Sequence, residues 1–283
     1  MRLANELAER KISELKKQIT KVAITPEQLM EALELHQLEH AHVAEIPLVL
    51  KEGLNCSARF QNLAGWVGST TEFRNWLGGS SKSQILCVQG NGELENTSPL
   101  SFLISLLYEK LESTPGTLVL PFFCGLSRVR SGPTMMLRAF LVQLLTVCEA
   151  RGLTGKDGLP VLSFLTHDEV SNMKVSCFTT YTKAVTRLLR AMREKYKGIF
   201  ILIDAVDFYD SGWDDEMDGF MRSMKKLVRW FNKSNGENSG GELKVLLTAS
   251  AWSKHFSHPK GSFVVLDVPE EMDESMDGFE EME

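Results

Sequence analysis

The sequence predicts an α/β protein built on a doubly wound parallel sheet of about five strands. Three observations carry that expectation. Short apolar runs recur along the chain, at Ile85–Val88, Thr117–Cys124, Ile199–Ile203, Lys244–Thr248 and Phe263–Leu266. Runs that lack polar alternation suit strands covered on both faces. These runs alternate with longer stretches of helical apolar spacing, and strand–helix alternation is the pattern of a parallel sheet. Finally, the stretch Gly198–Asp210, GIFILIDAVDFYD, carries five apolar residues straight into Asp204. A carboxylate where a buried strand ends is costly unless it pairs or holds a cation. The carboxyl ends of parallel strands are also where such sheets bind ligands.

Composition bounds the function class. The 283 residues carry 43% hydrophobic and 24% charged side chains, as ordinary globular domains do. A net charge of −6 argues against a nucleic-acid surface. Cys56, Cys87, Cys124, Cys148 and Cys177 show no CxxC and no metal-ligand spacing, which reads as reduced thiols of an intracellular protein. The opening MRLANELAERKISELKK is charged and has no apolar run fit for a signal peptide. No stretch reads as a membrane span. A cytoplasmic protein without nucleic-acid or membrane partners is therefore expected.

In chain order, residues 1–58 read as a helical appendage with a connector. Leu3, Leu7, Ile12, Leu15 and Ile19 recur at helical spacing. Thr25-Pro26-Glu27 starts a second helix, with Thr25 as N-cap, Pro26 at its first position and an acid in its first turn. Leu29, Leu33, Leu35 and Leu38 give that helix an apolar side, so two antiparallel helices are expected. The same helix spells His36-Gln37-Leu38-Glu39-His40, the H-x-x-E-H arrangement in which two histidines on one helix face can share zinc. No third ligand accompanies them, so a solvated histidine face without metal is expected. Residues 51–83 mix Gly, Ser and Asn with Phe60, Trp66, Phe73 and Trp76. They read as a connector whose aromatics pack on the main domain, with a short helix over Thr71–Leu77.

The main domain is expected over residues 59–268. Its first strand, Ile85–Val88, is followed by Gln89-Gly90-Asn91-Gly92-Glu93-Leu94-Glu95-Asn96-Thr97-Ser98 and then by a helix over Pro99–Leu111. Strand, glycine-containing loop and helix form the context of a phosphate-binding loop. Laid from Gly90, the pattern GxxxxGK[ST] puts Glu95 on the second glycine, Asn96 on the lysine and Thr97 on the hydroxyl residue. Only Gly90 and Thr97 fit. Glu93 and Glu95 add negative charge where a polyanion would lie, and like charges a few Å apart repel by about 1 kcal/mol even at high dielectric.

The second strand, Thr117–Cys124, contains Pro121, which predicts an edge position or a bulge. Helices follow over Thr134–Arg151 and Phe178–Tyr196, and the latter leads into the Ile199 strand. The helix Asp214–Asn232 starts acidic and turns basic at Lys225, Lys226 and Arg229, as the helix dipole favours. After the last two strands, residues 269–283 form an acidic tail, PEEMDESMDGFEEME, whose composition is that of a disordered segment.

Six pieces come in one order: Phe73-Arg74-Asn75-Trp76-Leu77, QILCVQGN, PFFCG, LRAFLVQLL, IFILIDAVD and LKVLLTAS. Together they resemble the NACHT-type NTPase domain of fungal signal-transducing (STAND) proteins, which is related to the nephrocystin-like N-terminal domain. The resemblance spans residues 60–268. That family reads F..WL, a strand running into a PGSGKST loop, LR.L..QLL, a strand ending in IDALDE, and K.L.TSR. The resemblance implies a P-loop NTPase-like fold, with Asp204 at the Walker B position and Asp207 beside it. The departures fall on chemistry: Asn96 stands for the loop lysine, Glu95 for its second glycine, Phe208 for the acid after Asp207, and Ser250 for the arginine of TSR.

Scaffold retained without catalytic groups predicts a non-catalytic, degenerate NTPase module with a regulatory or protein-interaction role and no cofactor. Protein partners and a possible homo-oligomer follow from the resemblance. The alternative is an ATP/ADP-binding switch with slow or no hydrolysis. There Gly90, Gly92, Asn96, Thr97 and Ser98 would form the phosphate loop, Asp204 and Asp207 would hold Mg²⁺ with Thr97, and Arg128, Arg130 or Lys254 would replace the missing lysine.

Overall fold

Five parallel strands form one sheet in the order β2-β3-β4-β1-β5. The strands are β1 (Gln84–Gln89), β2 (Thr117–Phe123), β3 (Gly198–Asp204), β4 (Glu242–Ala249) and β5 (Phe263–Asp267). They fall on the five apolar runs of the sequence, and all neighbours are parallel, as expected. The computed structural model describes residues 24–39, 41–79, 82–90, 96–126, 132–152, 162–234, 240–256 and 263–269. The first predicted helix, Gly92, Arg128, Arg130, His40 and the tail beyond Pro269 lie outside the described residues.

The helices in chain order are α1 (Pro26–Ala32), α2 (Ala41–Asn55), α3 (Ala58–Ser69), α4 (Thr71–Arg74), α5 (Pro99–Glu112), α6 (Pro133–Ala150), α7 (His167–Lys174), α8 (Phe178–Met192) and α9 (Asp214–Ser234). Strand direction across the sheet explains their faces. The chain crosses from β1 to the far edge at β2, then returns through β3 and β4. Crossovers of one hand therefore place α5 on one face and α6–α9 on the other. The buried side chains divide accordingly. Ile85, Leu120, Ile201 and Val245 pack against α1 and α6–α9. Leu86, Val119, Phe200 and Leu246 pack against α2–α5. Burial of both faces is why these strands read as unbroken apolar runs.

β2 lies at the sheet edge, the position that Pro121 predicts. The carbonyl of Pro121 accepts from Gln143 Nε2 at 2.9 Å. α1 starts as the sequence indicates, with Thr25 and Gln28 in a reciprocal cap behind Pro26, but it stops at Ala32. A separate 3₁₀ turn holds His36–Leu38, so the H-x-x-E-H residues do not share one continuous α-helix. His36 is exposed and 3.8 Å from Glu39.

Residues 51–83 differ most from expectation. They are mainly helical, not a connector. The close approach of α2 to α5 requires Gly53, where a Cβ would stand 2.2 Å from the Phe102 ring. Tertiary packing thus overrides the low helix propensity of a Gly/Ser-rich stretch. The aromatics do turn inward: Phe73 and Trp76 are buried, and Trp76 meets Phe200 edge-on at 6.0 Å between ring centres. The helix α6 is long and apolar enough by composition to cross a membrane, yet 72% of it is buried inside the fold. It is a core helix.

Trp76 is fully buried between α4 and β3. Replacing it with Ala is expected to lower the unfolding free energy by roughly 3–5 kcal/mol, read from the midpoint of urea unfolding. A loss below about 1 kcal/mol would mean that the layer α2–α5 does not share the core.

Candidate functional site

The carboxyl end of β3 brings the chemistry together. Alternation along the strand places Asp204 on the same face as Phe200 and Leu202, toward α5. The same alternation on β4 turns Thr248 to that face beside Leu246. Asp204 is fully buried. Its Oδ2 accepts from Ser101 Oγ at 2.6 Å, and its Oδ1 accepts from Thr248 Oγ1 at 2.6 Å. Thr248 Oγ1 in turn accepts the N–H of Ala205 at 3.1 Å. Ala205 holds a left-handed backbone, φ 54°, a conformation that costs a non-glycine residue on the order of 1 kcal/mol. The carbonyl of Asp204 accepts the N–H of Cys124 at 3.1 Å. One residue therefore joins β3, β4, the end of β2 and the first turn of α5.

Burial pushes the Asp204 carboxyl up to about 6. The hydroxyls of Ser101 and Thr248 and the N–H of Ala205 pull it down, and the neighbouring Asp207 raises it. Asp207 sits on the 3₁₀ turn Val206–Tyr209 and is 8% exposed. Its Oδ2 accepts the Ala251 N–H at 3.0 Å. Burial again raises this carboxyl above its ordinary value, backbone N–H groups of Ala251, Asp207 and Ser250 oppose the shift, and Asp210 adds to it. Of those N–H groups, Ala251 reaches hydrogen-bond geometry. Oδ1 of Asp207 and Oγ of Ser250 are buried without a partner among the described residues.

The predicted phosphate-loop residues are placed as follows. Gly90 leaves β1 with its N–H on Ala249 O at 2.9 Å, and a Cβ there would stand 2.6 Å from Ser250 O. Asn96, at the lysine position, is exposed. Its backbone lies on Gly125, where a Cβ would meet Asn96 O at 2.6 Å and the Phe208 ring at 3.0 Å. Thr97 is half-buried. Ser98 is the N-cap of α5. Its Oγ accepts the Ser101 N–H at 3.2 Å, and Ser101 Oγ accepts the Ser98 N–H at 2.8 Å. Pro99 has no N–H to offer. Three of the four N–H positions at the start of α5 are thus accounted for inside the turn, so the donors that would meet a phosphate are largely spent.

Lys254, a suggested substitute for the lysine, is held in an ion pair by Asp214. Phe208 packs against the core. Sequence reasoning found Asp204 and missed Ser101, whose signal is the spacing Ser98-Pro99-Leu100-Ser101, a serine N-cap with a hydrogen-bonding residue three positions on. Among the described residues no three His, Cys, Asp or Glu side chains are arranged to hold a metal ion.

A family model described as "Nephrocystin 3, N-terminal" matches residues 62–250. The matched stretch contains β1 to β4 and each of the residues just described from Gly90 to Ser250. The chain matches no curated protein.

The raised carboxyl of Asp204 has a consequence for stability. The folded chain binds this proton more tightly than the unfolded chain, whose aspartates titrate near 3.9. The group's favourable contribution is therefore full below about 4 and is lost as pH rises through about 6. Wild-type protein is expected to gain stability relative to Asp204→Asn as pH falls from about 7 to about 4, by on the order of 3 kcal/mol across that window. Parallel stability–pH curves for the two proteins would contradict it.

Proposed function

Because the chain belongs to the Nephrocystin 3, N-terminal family, which the match over residues 62–250 establishes, we propose that it is a non-catalytic, NTPase-derived module of the STAND signalling type, with a NACHT-like ancestry and a regulatory or protein-interaction role. The observation that carries this reading is the engagement of Asp204. Both its oxygens are taken by hydroxyl donors of the protein itself. A Walker B aspartate works by holding Mg²⁺ directly or through water, whereas here the carboxylate serves as a pin between α5 and the sheet. The closed cap of α5 and the uncharged Asn96 support the same reading, since the group that would reach the β- and γ-phosphates is missing. Three buried free thiols, Cys87, Cys124 and Cys148, suit a reducing, cytoplasmic setting.

One observation favours the second reading, a nucleotide-binding switch. Asp207 Oδ1 and Ser250 Oγ are buried oxygens without partners among the described residues. Such atoms are costly unless a ligand, ion or water satisfies them. A magnesium–nucleotide complex approaching from the loop after β1 would do so.

Hydrolysis separates an active NTPase from both readings. Losing one transition-state donor costs about 10²- to 10³-fold in rate, and here the lysine, the acid after Asp207 and the arginine are all replaced. Purified protein is expected to release no phosphate from ATP or GTP above a buffer blank. Release by the wild type that is lost in Asp207→Asn, with the variant's melting temperature preserved, would overturn the non-catalytic reading.

A further inference from the structure

We propose that β5 is an open sheet edge on which a second copy of this chain pairs its own β5, antiparallel and centred on Val265. β5 ends the sheet and pairs with β1 alone. The direction of its backbone groups follows from the register. Val268 donates its N–H to Gln89 O at 2.8 Å, so the even-numbered residues of β5 turn their N–H and C=O groups toward β1. The alternate residues of a strand turn theirs the other way. Phe263, Val265 and Asp267 therefore aim their backbone groups outward, and among the described residues nothing receives them. Val264 and Val265 are half-buried and Asp267 is exposed.

The two edges of the sheet differ in this respect. β2 forms the other edge, and there Cys124 donates its N–H to Asp204 O at 3.1 Å, which turns the odd-numbered residues of β2 outward. Pro121 is one of them, so the middle of that edge has no N–H to give. The Pro121 carbonyl is already taken by Gln143. β5, reading FVVLD, contains no proline, lysine or arginine, the residues that ordinarily block an exposed edge. An apolar strand left open in this way is a template for another strand.

The strand is complementary to itself. In an antiparallel ladder, outward-facing residues stand opposite one another and exchange both hydrogen bonds. A two-fold axis at Val265 meets that requirement, with Val265 opposite its own copy and Phe263 opposite Asp267. Val264 then meets Leu266 as an apolar pair on the face that packs with α2–α5. Charge complementarity points to a second copy as the occupant. Lys225 Nζ of α9 lies 4.3 Å from the centre of the Phe263 ring. Phe263 and Asp267 share the face toward α9, because residues two and four apart in a strand point the same way. Pairing therefore brings the partner's Asp267 across from Phe263 and beside Lys225, and the reciprocal contact forms on the other side of the axis. Asp267 Oδ1 accepts from Gln89 Nε2 at 2.5 Å, and its Oδ2 faces the lysine. Nothing in this pairing depends on what the Asp204 site binds.

A strand pair of this length falls at the small end of specific interfaces, so a reversible, concentration-dependent dimer is expected. Sedimentation equilibrium of the full chain, at loadings up to about 0.2 mM, should show monomer and dimer in exchange. Val265→Pro removes an outward N–H and leaves the ladder between β1 and β5 intact. It is expected to raise the dimer dissociation constant by at least about tenfold, with the melting temperature preserved. Asp267→Lys, which sets two cations against each other across the axis, should weaken the dimer as well, and adding Lys225→Glu should restore it. If Val265→Pro melts early, the charge exchange alone decides. A wild type that stays monomeric throughout leaves the edge to a strand of some other protein, and the proposal fails. A dimer that persists in folded Val265→Pro, or that ignores the charge exchange, sits on another surface and overturns the proposal equally.

Discussion

The structure at the carboxyl end of the sheet depends on one buried carboxylate and the two hydroxyls that satisfy it. An isolated charge in an apolar interior is expensive, and an aspartate there must be paired, hydrogen-bonded or protonated. Asp204 takes one short bond from Ser101 on α5 and one from Thr248 on β4. Those two bonds bring together residues more than forty and more than one hundred positions away in sequence. They fix the first turn of α5 against the two central strands, and the left-handed step at Ala205 follows because its N–H has a ready acceptor in Thr248.

The same arrangement closes the start of α5 on itself. A phosphate-binding helix start offers free N–H groups. Here Ser98 and Ser101 answer each other's backbone donors, and Pro99 removes a third. Asn96 and Gly125 are packed backbone to backbone, with Phe208 alongside. Among the described residues, Asp207 Oδ1, on the turn that follows β3, and Ser250 Oγ, just after β4, are buried without partners.

Much of the fold was legible because burial on two faces leaves a strong trace. Each strand of the sheet appears as a short apolar run, and Pro121 marks the edge strand because a proline has no N–H to donate to a neighbouring strand. The helices α2 and α3 were less legible. Gly53 weakens helix propensity locally, and its reason is the Phe102 ring, which no local pattern announces. Asp204 was legible as an acid at a strand end. Its partners were not, since periodicity identifies which face a residue takes but not which distant hydroxyl it meets. Ser98 was legible as the residue before a helix, but its pairing with Ser101 was not, since a serine there looks alike whether it meets a phosphate or its own N–H groups.

The central claim is that Asp204 is a structural pin in a site that no longer takes a nucleotide. Thermal unfolding of the wild-type protein with and without millimolar Mg-ATP or Mg-ADP tests it most directly. Any ligand that binds only the folded state at a hundred times its dissociation constant adds about 2.7 kcal/mol of stability. The account predicts superimposable melting curves in the presence and absence of either nucleotide. A concentration-dependent rise in melting temperature that requires both magnesium and nucleotide would contradict it.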